Sequence, residues 1–140
     1  MDRAELVAFV QRRGHALLAT RGPDGVPQVT KVRMAVTDEG EFVFDTSIHS
    51  REYQNIKAFP LVALVIGGEE EVTLEVEGPA DVLAGADRDR CLRAYFQQHP
   101  DTREQAQARY VVYLRIRPSA LRLSDVRTGS FGIQEIRLDD

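Results

Sequence analysis

With 140 residues, 43% of them hydrophobic and 29% charged, the chain has the size and composition of one soluble globular domain. A net charge of −4 speaks against a protein that coats nucleic acid, and no apolar run approaches the roughly 20 residues that would span a bilayer. The lone cysteine, Cys91, excludes an intrachain disulfide and fits a reducing, cytoplasmic setting, as does an N-terminus that carries acids early and lacks a continuous apolar signal core.

Leu6, Phe9 and Val10 recur at three- and four-residue spacing within residues 2–13, one apolar face of an amphipathic helix that Gly14 would stop. Residues 15–20 read as a short strand. At 21–25 a turn is expected, with Pro23 fixing φ and Asp24-Gly25 supplying a hairpin dipeptide. Pro27 leads into a longer strand over 28–36. A second turn at 38–40 returns the chain into a strand over 42–45, where Phe42 and Phe44 alternate with Val43 and Asp45. Strands in series with tight turns predict an antiparallel meander. Ser50 has the side chain of an N-cap for a helix over 51–57, Tyr53 and Ile56 lie one turn apart on its core side, and Pro60 ends it.

The continuous apolar run over 61–66, bounded by Pro60 and Gly67-Gly68, predicts a strand buried on both faces. A charged turn follows at 69–71. Val72, Leu74 and Val76 then alternate with Thr73, Glu75 and Glu77 as a half-buried strand; Gly78-Pro79 bends it, and 80–83 carries it on. Residues 87–99 form a helix with Leu92, Tyr95 and Phe96 on one stripe and Pro100 at its end. Thr102 and Gln105 have the spacing of a capping box for a short helix reaching Arg109. Further strands are expected at 110–117, at 120–123 and at 131–137, the last two separated by a turn at Gly129. Strand follows strand too often for a doubly wound sheet, so the expected fold is α+β and mainly β: an antiparallel barrel of about six or seven strands with peripheral helices.

The sequence offers little catalytic machinery. His15, His49 and His99 are far apart and none has a second ligand at helical or hairpin spacing. There is no phosphate-binding glycine loop and no nucleophile elbow. Cys91 reads as a small buried hydrophobe, and the acids at 69–71, 75 and 77 as a solvated edge. One stretch stands out. The strand over 42–45 delivers the chain to Thr46 and Ser47, and Ser50-Arg51 opens a helix. Unpaired N–H groups and the positive end of the helix dipole would gather there with hydroxyls and a guanidinium, a setting for an anion such as phosphate. Lys31 and Arg33 share one face of the neighbouring strand and would add charge-assisted bonds to such a group. A capped surface helix with a solvated arginine accounts for the same residues.

The ordered set Ala19-Thr20, Asp24-Gly25-x-Pro27, Phe42-x-Phe44-x-Thr46, Ser50-Arg51-x-x-x-Asn55-Ile56, Pro60-x-Val62-x-Leu64, Thr73-x-x-Val76-x-Gly78 and Tyr113-Leu-Arg-Ile-Arg-Pro118 resembles the pyridoxamine 5′-phosphate oxidase-related proteins, the split β-barrel flavoproteins. The resemblance spans most of the chain. It implies FMN held at a homodimer interface, with Thr30, Lys31, Val32 and Arg33 of one strand and Thr46, Ser50 and Arg51 around the phosphate. Ser47 belongs to the same loop, and Thr73 falls where some members place a polar residue against the flavin ring. Two departures are visible. Glu52 stands where the family often has a second cation, and the chain ends Gln134-Glu-Ile-Arg137-Leu-Asp-Asp140 without the His-Asp-Arg tail that holds substrate phosphate in the vitamin B6 oxidases.

The expectation is therefore a cytoplasmic, homodimeric FMN-dependent oxidoreductase with a small-molecule substrate, a flavin as hydride carrier, and neither nucleic acid nor membrane as partner. A deazaflavin-dependent reductase is the alternative enzyme. A non-catalytic flavin- or haem-binding protein, or a stress-related one, is the alternative outside enzymes.

Overall fold

The structure, a computed structural model, describes residues 2–67, 71–127 and 132–136. Glu69 and Glu70 of the expected charged turn, the Gly129 turn, and Phe131 and Arg137 at the ends of the last expected strand lie outside the described residues. In chain order the elements are α1 (Arg3–Arg13), β1 (His15–Arg21), β2 (Pro27–Val36), β3 (Phe42–Ser47), α2 (Arg51–Ala58), β4 (Leu61–Gly67), β5 (Val72–Val82), α3 (Gly85–Gln98), β6 (Val111–Ile116), β7 (Ala120–Asp125) and β8 (Gly132–Ile136), with 3-10 turns at Pro23–Gly25 and Pro100–Gln107.

Six strands close an antiparallel barrel in the order β1-β2-β3-β6-β5-β4, with β4 pairing back onto β1. β7 and β8 continue the sheet from the first half of β5. The expected mainly-β barrel with peripheral helices is what the chain forms. β5 makes closure feasible because it changes neighbours along its length: residues 72–77 pair with β7, and 80–82 pair with β6. The change falls at Gly78, where a Cβ would lie 2.4 Å from the Arg117 carbonyl oxygen. Only glycine lets the two backbones approach that closely.

Alternate residues of the strands fill the barrel. Leu18, Met34, Phe42, Phe44, Leu74, Leu114 and Ile116 are wholly buried, and α1 adds Leu6, Phe9 and Val10. α1 is held in register by a capping box, in which the Glu5 N–H donates to Asp2 at 2.9 Å and the Asp2 N–H donates to Glu5 at 3.0 Å. It ends at Gly14, whose φ of 71° is the left-handed conformation glycine adopts freely. α3 packs on the outside, where Cys91, Leu92 and Tyr95 meet Ala35, Val43 and Tyr113. Cys91 is thus a core residue, as its sequence position suggests. Burial and the Glu41 charge push its thiol up to about 11, so it stays protonated and unreactive at neutral pH.

Two local expectations are corrected. β4 is not buried on both faces: Val62, Leu64 and Ile66 point into the barrel, while Leu61 is 56% exposed and Ala63 and Val65 are half-buried. An unbroken apolar run therefore marks a strand with one uncovered face rather than a sandwiched one. Thr102 does not cap a helix with Gln105. Its hydroxyl donates to the His99 carbonyl at 2.7 Å, and the segment is a 3-10 turn beginning at Pro100.

A buried ion network that the strand pattern does not announce lies on the outer side of β5 and β6, beside α3. Glu41, 8% exposed, accepts from Arg90 at 3.0 Å, Arg115 at 3.0 Å and Thr37 at 2.9 Å. Arg115, 7% exposed, also binds Asp81 at 2.8 Å. Arg90 chiefly, then Arg115 and Thr37, lowers the Glu41 carboxyl from 4.5 to about 2 against the opposing effect of burial. A depressed carboxylate stabilises the fold above its ordinary pKa and loses that stabilisation as pH falls toward the folded value. Glu41→Gln should cost about 3 kcal/mol in urea unfolding at pH 7 and under about 1 kcal/mol at pH 2.5. Equal losses at both pH values would show that the charge of Glu41 is not what holds this network.

Candidate functional site

β2 and β3 are paired only from Val36–Phe42 to Met34–Phe44. Beyond that point β2 runs beside β1 down to the Pro27–Arg21 pair, while β3 runs beside β6 out to the Ser47–Val111 pair. The barrel is split between residues 27–33 of β2 and 45–47 of β3, and the start of α2 occupies the split. The Arg51 guanidinium donates to the Val29 carbonyl at 3.3 Å. One turn on, the Asn55 amide donates to Gln28 at 2.8 Å and to the Thr20 hydroxyl at 2.9 Å. α2 is thereby pinned to the edge strand that β3 leaves.

The loop into α2 is built by its own hydroxyls. Ser50 accepts the Tyr53 N–H at 3.1 Å as the N-cap, and Ser47 accepts the His49 N–H at 3.0 Å. The Thr46 hydroxyl lies 3.0 Å from the Ser50 oxygen and 3.2 Å from a Glu52 carboxylate oxygen. Four of the expected site residues, Thr46, Ser47, Ser50 and Arg51, are therefore gathered at the end of β3 and the start of α2. Arg51 is exposed and the other three are half-buried. The donor set suits one phosphate: a guanidinium, hydroxyls, and the N–H groups of a helix start. Glu52 opposes it with one carboxylate in the same turn.

The remaining expected residues are distributed around this group. Thr30 and Val32 face inward on β2, half-buried and buried. Lys31 and Arg33 share the outward face, as their spacing predicts. Arg33 donates to Gln105 at 3.5 Å and contributes positive charge beside Tyr95, whose hydroxyl donates to Asp45. Burial and that bond push the Tyr95 phenol well above its ordinary value. Lys31 is exposed on the other side of Val32, against a cavity bounded by α1. Thr73 pairs with Gly67 and Ser124. It lies three strands round the barrel from β2, on the order of 14 Å at ordinary strand spacing, and is not part of the Thr46–Arg51 group.

Sequence reasoning passed over Asn55 as a functional residue, although it follows Arg51 by four positions and so shares its helix face. It also missed the bond between Thr46 and Glu52, which needs the loop geometry to be seen. Among the described residues no group of three or more His, Cys, Asp or Glu side chains could hold a metal ion.

A family model described as pyridoxamine 5′-phosphate oxidase matches residues 3–125 of the chain. The pyridoxine/pyridoxamine 5′-phosphate oxidase of Thermosynechococcus vestitus is 37% identical over 84 residues, which cover 59% of this chain and 38% of that protein. The enzyme of the same name from Rubrobacter xylanophilus is 39% identical over 85 residues, covering 60% of this chain and 37% of that protein. The matches span well under half the length of these curated relatives. Among solved structures, a haem-binding protein from Mycobacterium smegmatis superposes with a TM-score of 0.80 at 15% identity, over 96% of this chain and 58% of that one. Both share the barrel.

Asn55 is 7% exposed and makes the two shorter bonds that anchor α2, whereas Arg51 is exposed and reaches only the Val29 carbonyl, at 3.3 Å. In urea unfolding, Asn55→Ala should lose about 2 kcal/mol and Arg51→Ala under about 0.5 kcal/mol. The reverse ranking would mean that Arg51, not Asn55, holds the helix in the split.

Proposed function

The chain belongs to the pyridoxamine 5′-phosphate oxidase family, and from that premise we propose that it is an FMN-binding oxidoreductase acting on a small-molecule substrate. The observation that carries this reading is the meeting of Thr46, Ser50 and Arg51 at the start of α2, inside the split of the barrel. Arg51 would neutralise the cofactor phosphate. Thr46, Ser47 and Ser50 would donate hydroxyl bonds, and the backbone of Thr30 and Val32 would line the β2 edge. Lys31 and Arg33 add positive potential from the outward face, and Thr73 would meet a more distant part of the cofactor. A bound flavin supplies hydride transfer; the chain supplies binding, orientation and the local charge. Nothing in the site demands a protein acid or base for that chemistry.

The second copy of a homodimer has a natural seat. Leu17, Val29 and Leu61 are 46%, 54% and 56% exposed on the outer face of β1, β2 and β4. The pairings Leu17–Val65, Ala19–Ala63 and Ala19–Val29 make that apolar face continuous. A patch of this kind on a soluble barrel is read as an interface, and it borders the split. No helix among the described residues is long and apolar enough to cross a membrane. We place the protein in the cytoplasm, in keeping with its single reduced cysteine.

Glu52 favours a second reading. With one cation and one carboxylate in the first turn of α2, the site fits a weakly held flavin, or a carrier of flavin, deazaflavin or haem without turnover. Spectral titration of the full chain with FMN, deazaflavin and haem separates these. FMN should bind with a dissociation constant below about 100 µM, roughly −5.5 kcal/mol; failure of FMN and deazaflavin alike would end the enzyme reading. Arg51→Ala should weaken FMN by about 1.5–3 kcal/mol, and Glu52→Gln should strengthen it by about 1 kcal/mol. Riboflavin, which lacks the phosphate, should be indifferent to both changes. Reduction of the bound flavin by NADH or NADPH would distinguish an oxidoreductase from a carrier.

A further inference from the structure

At the fork of the split, two opposite charges face each other and do not pair. β2 and β3 are joined as Val36–Phe42, Ala35–Val43 and Met34–Phe44, and the next positions in that register are Arg33 and Asp45. Both stand on the outward face, Arg33 in line with Ala35 and Asp45 in line with Val43. Opposite charges at facing positions of an antiparallel pair attract each other. Yet among the described residues Arg33 has no carboxylate within ion-pair distance; it donates to the Gln105 side-chain oxygen at 3.5 Å.

α3 supplies the reason. Tyr95 packs on the outside with Ala35 and Val43, is fully buried, and donates its hydroxyl to Asp45. The ring is fixed on several sides. It stands edge-on to Tyr113 and Phe96, with centroids 5.5 Å and 5.8 Å away, and is tilted against His99 at 5.2 Å. His99 in turn has its Nε2 2.8 Å from the carbonyl oxygen of Met34, the last residue of β2 paired to β3. Tyr95 is therefore tied to the point where the two strands part. We propose that Tyr95 is a positioning residue: it takes up Asp45 and so leaves the Arg33 guanidinium its charge for the phosphate of a ligand in the split, a role that rests on reading the split as a flavin site.

The hydroxyl carries this role, not the ring. A phenylalanine would keep the contacts with Tyr113, Phe96 and His99. It would leave the half-buried Asp45 carboxylate without its donor, and a carboxylate in that position gains from any cation within reach. Two other guanidiniums on this side, those of Arg88 and Arg103, lie over the Tyr113 and Phe96 rings at 5.6 Å and 5.3 Å. Arg33 is the cation that the strand register sets opposite Asp45. Once paired there, it would no longer offer its full charge to an anion.

Two measurements on the full chain test this, and the first needs no ligand. In urea unfolding, Arg33→Gln and Asp45→Asn should act nearly independently on the folding equilibrium constant of the native chain. In the Tyr95→Phe background they should depart from independence by about threefold, as a newly formed pair does. The second is flavin titration. Tyr95→Phe should weaken FMN about fivefold and leave riboflavin, which lacks the phosphate, within about twofold. Adding Asp45→Asn to Tyr95→Phe should restore FMN binding, because no carboxylate is then left to claim Arg33. A merely structural tyrosine would weaken both flavins together and would not be rescued. The proposal is overturned if Arg33 and Asp45 stay independent in Tyr95→Phe, if FMN and riboflavin weaken alike, or if Asp45→Asn restores nothing. Should Tyr95→Phe fail to fold, Asp45→Asn alone decides: FMN tightened fivefold or more would mean that Asp45 already claims Arg33 in the native chain and would sink the proposal, whereas a change within about twofold supports it. Absence of FMN binding by the native chain would end the flavin reading, and the unfolding measurement would still show whether Tyr95 keeps the two charges apart.

Discussion

Three residue pairs hold β2 to β3, and the place where that pairing stops decides the rest of the molecule. A strand can leave its neighbour only where its backbone groups find other partners. β2 keeps β1 from Pro27 to Arg33, β3 takes β6, and Arg51 meets the Val29 carbonyl left along the gap. The Asn55 amide adds bonds to Gln28 and Thr20. The opening is thus stabilised by the same helix that brings a cation and a set of hydroxyls to its edge. Architecture and candidate site have a single cause.

Charge is handled in two ways. Beside α3, Glu41 is enclosed by Arg90, Arg115 and Thr37, and Arg115 is held again by Asp81. Each charge there has several partners, as a buried ion must. Around the split, Arg51 and Lys31 are exposed. Exposed cations contribute little to stability, and their arrangement along β2 and α2 is better understood through what they can bind.

Glu52 refines that view. In the turn where Thr46, Ser50 and Arg51 converge, it takes a hydrogen bond from Thr46 that would otherwise be offered to an anion. The phosphate grip proposed for this turn would carry less net positive charge than two cations would provide.

The order of strands and helices, the bend at Gly78, the αL stop at Gly14, the Ser50 cap and the burial of Cys91 were all readable from local pattern, because each depends on neighbours in sequence. The gathering of Thr46, Ser47, Ser50 and Arg51 was readable for the same reason. Three features were not. The uncovered face of β4 looks like a buried run, since apolar residues do not say which side of a sheet is left open. Glu41 finds Arg90 and Arg115, 49 and 74 residues away, through strand pairing that no local spacing encodes. Lys31 and Arg33 share a face as their spacing requires, yet one turns to α1's cavity and the other to Gln105 and Tyr95, because alternation sets the side of a strand while only packing sets which neighbour waits there. Sequence by itself determined the family, the barrel and the helix start that faces its split; tertiary structure decided which charges are buried together and which stay open, since those distances arise only when β2 and β3 part.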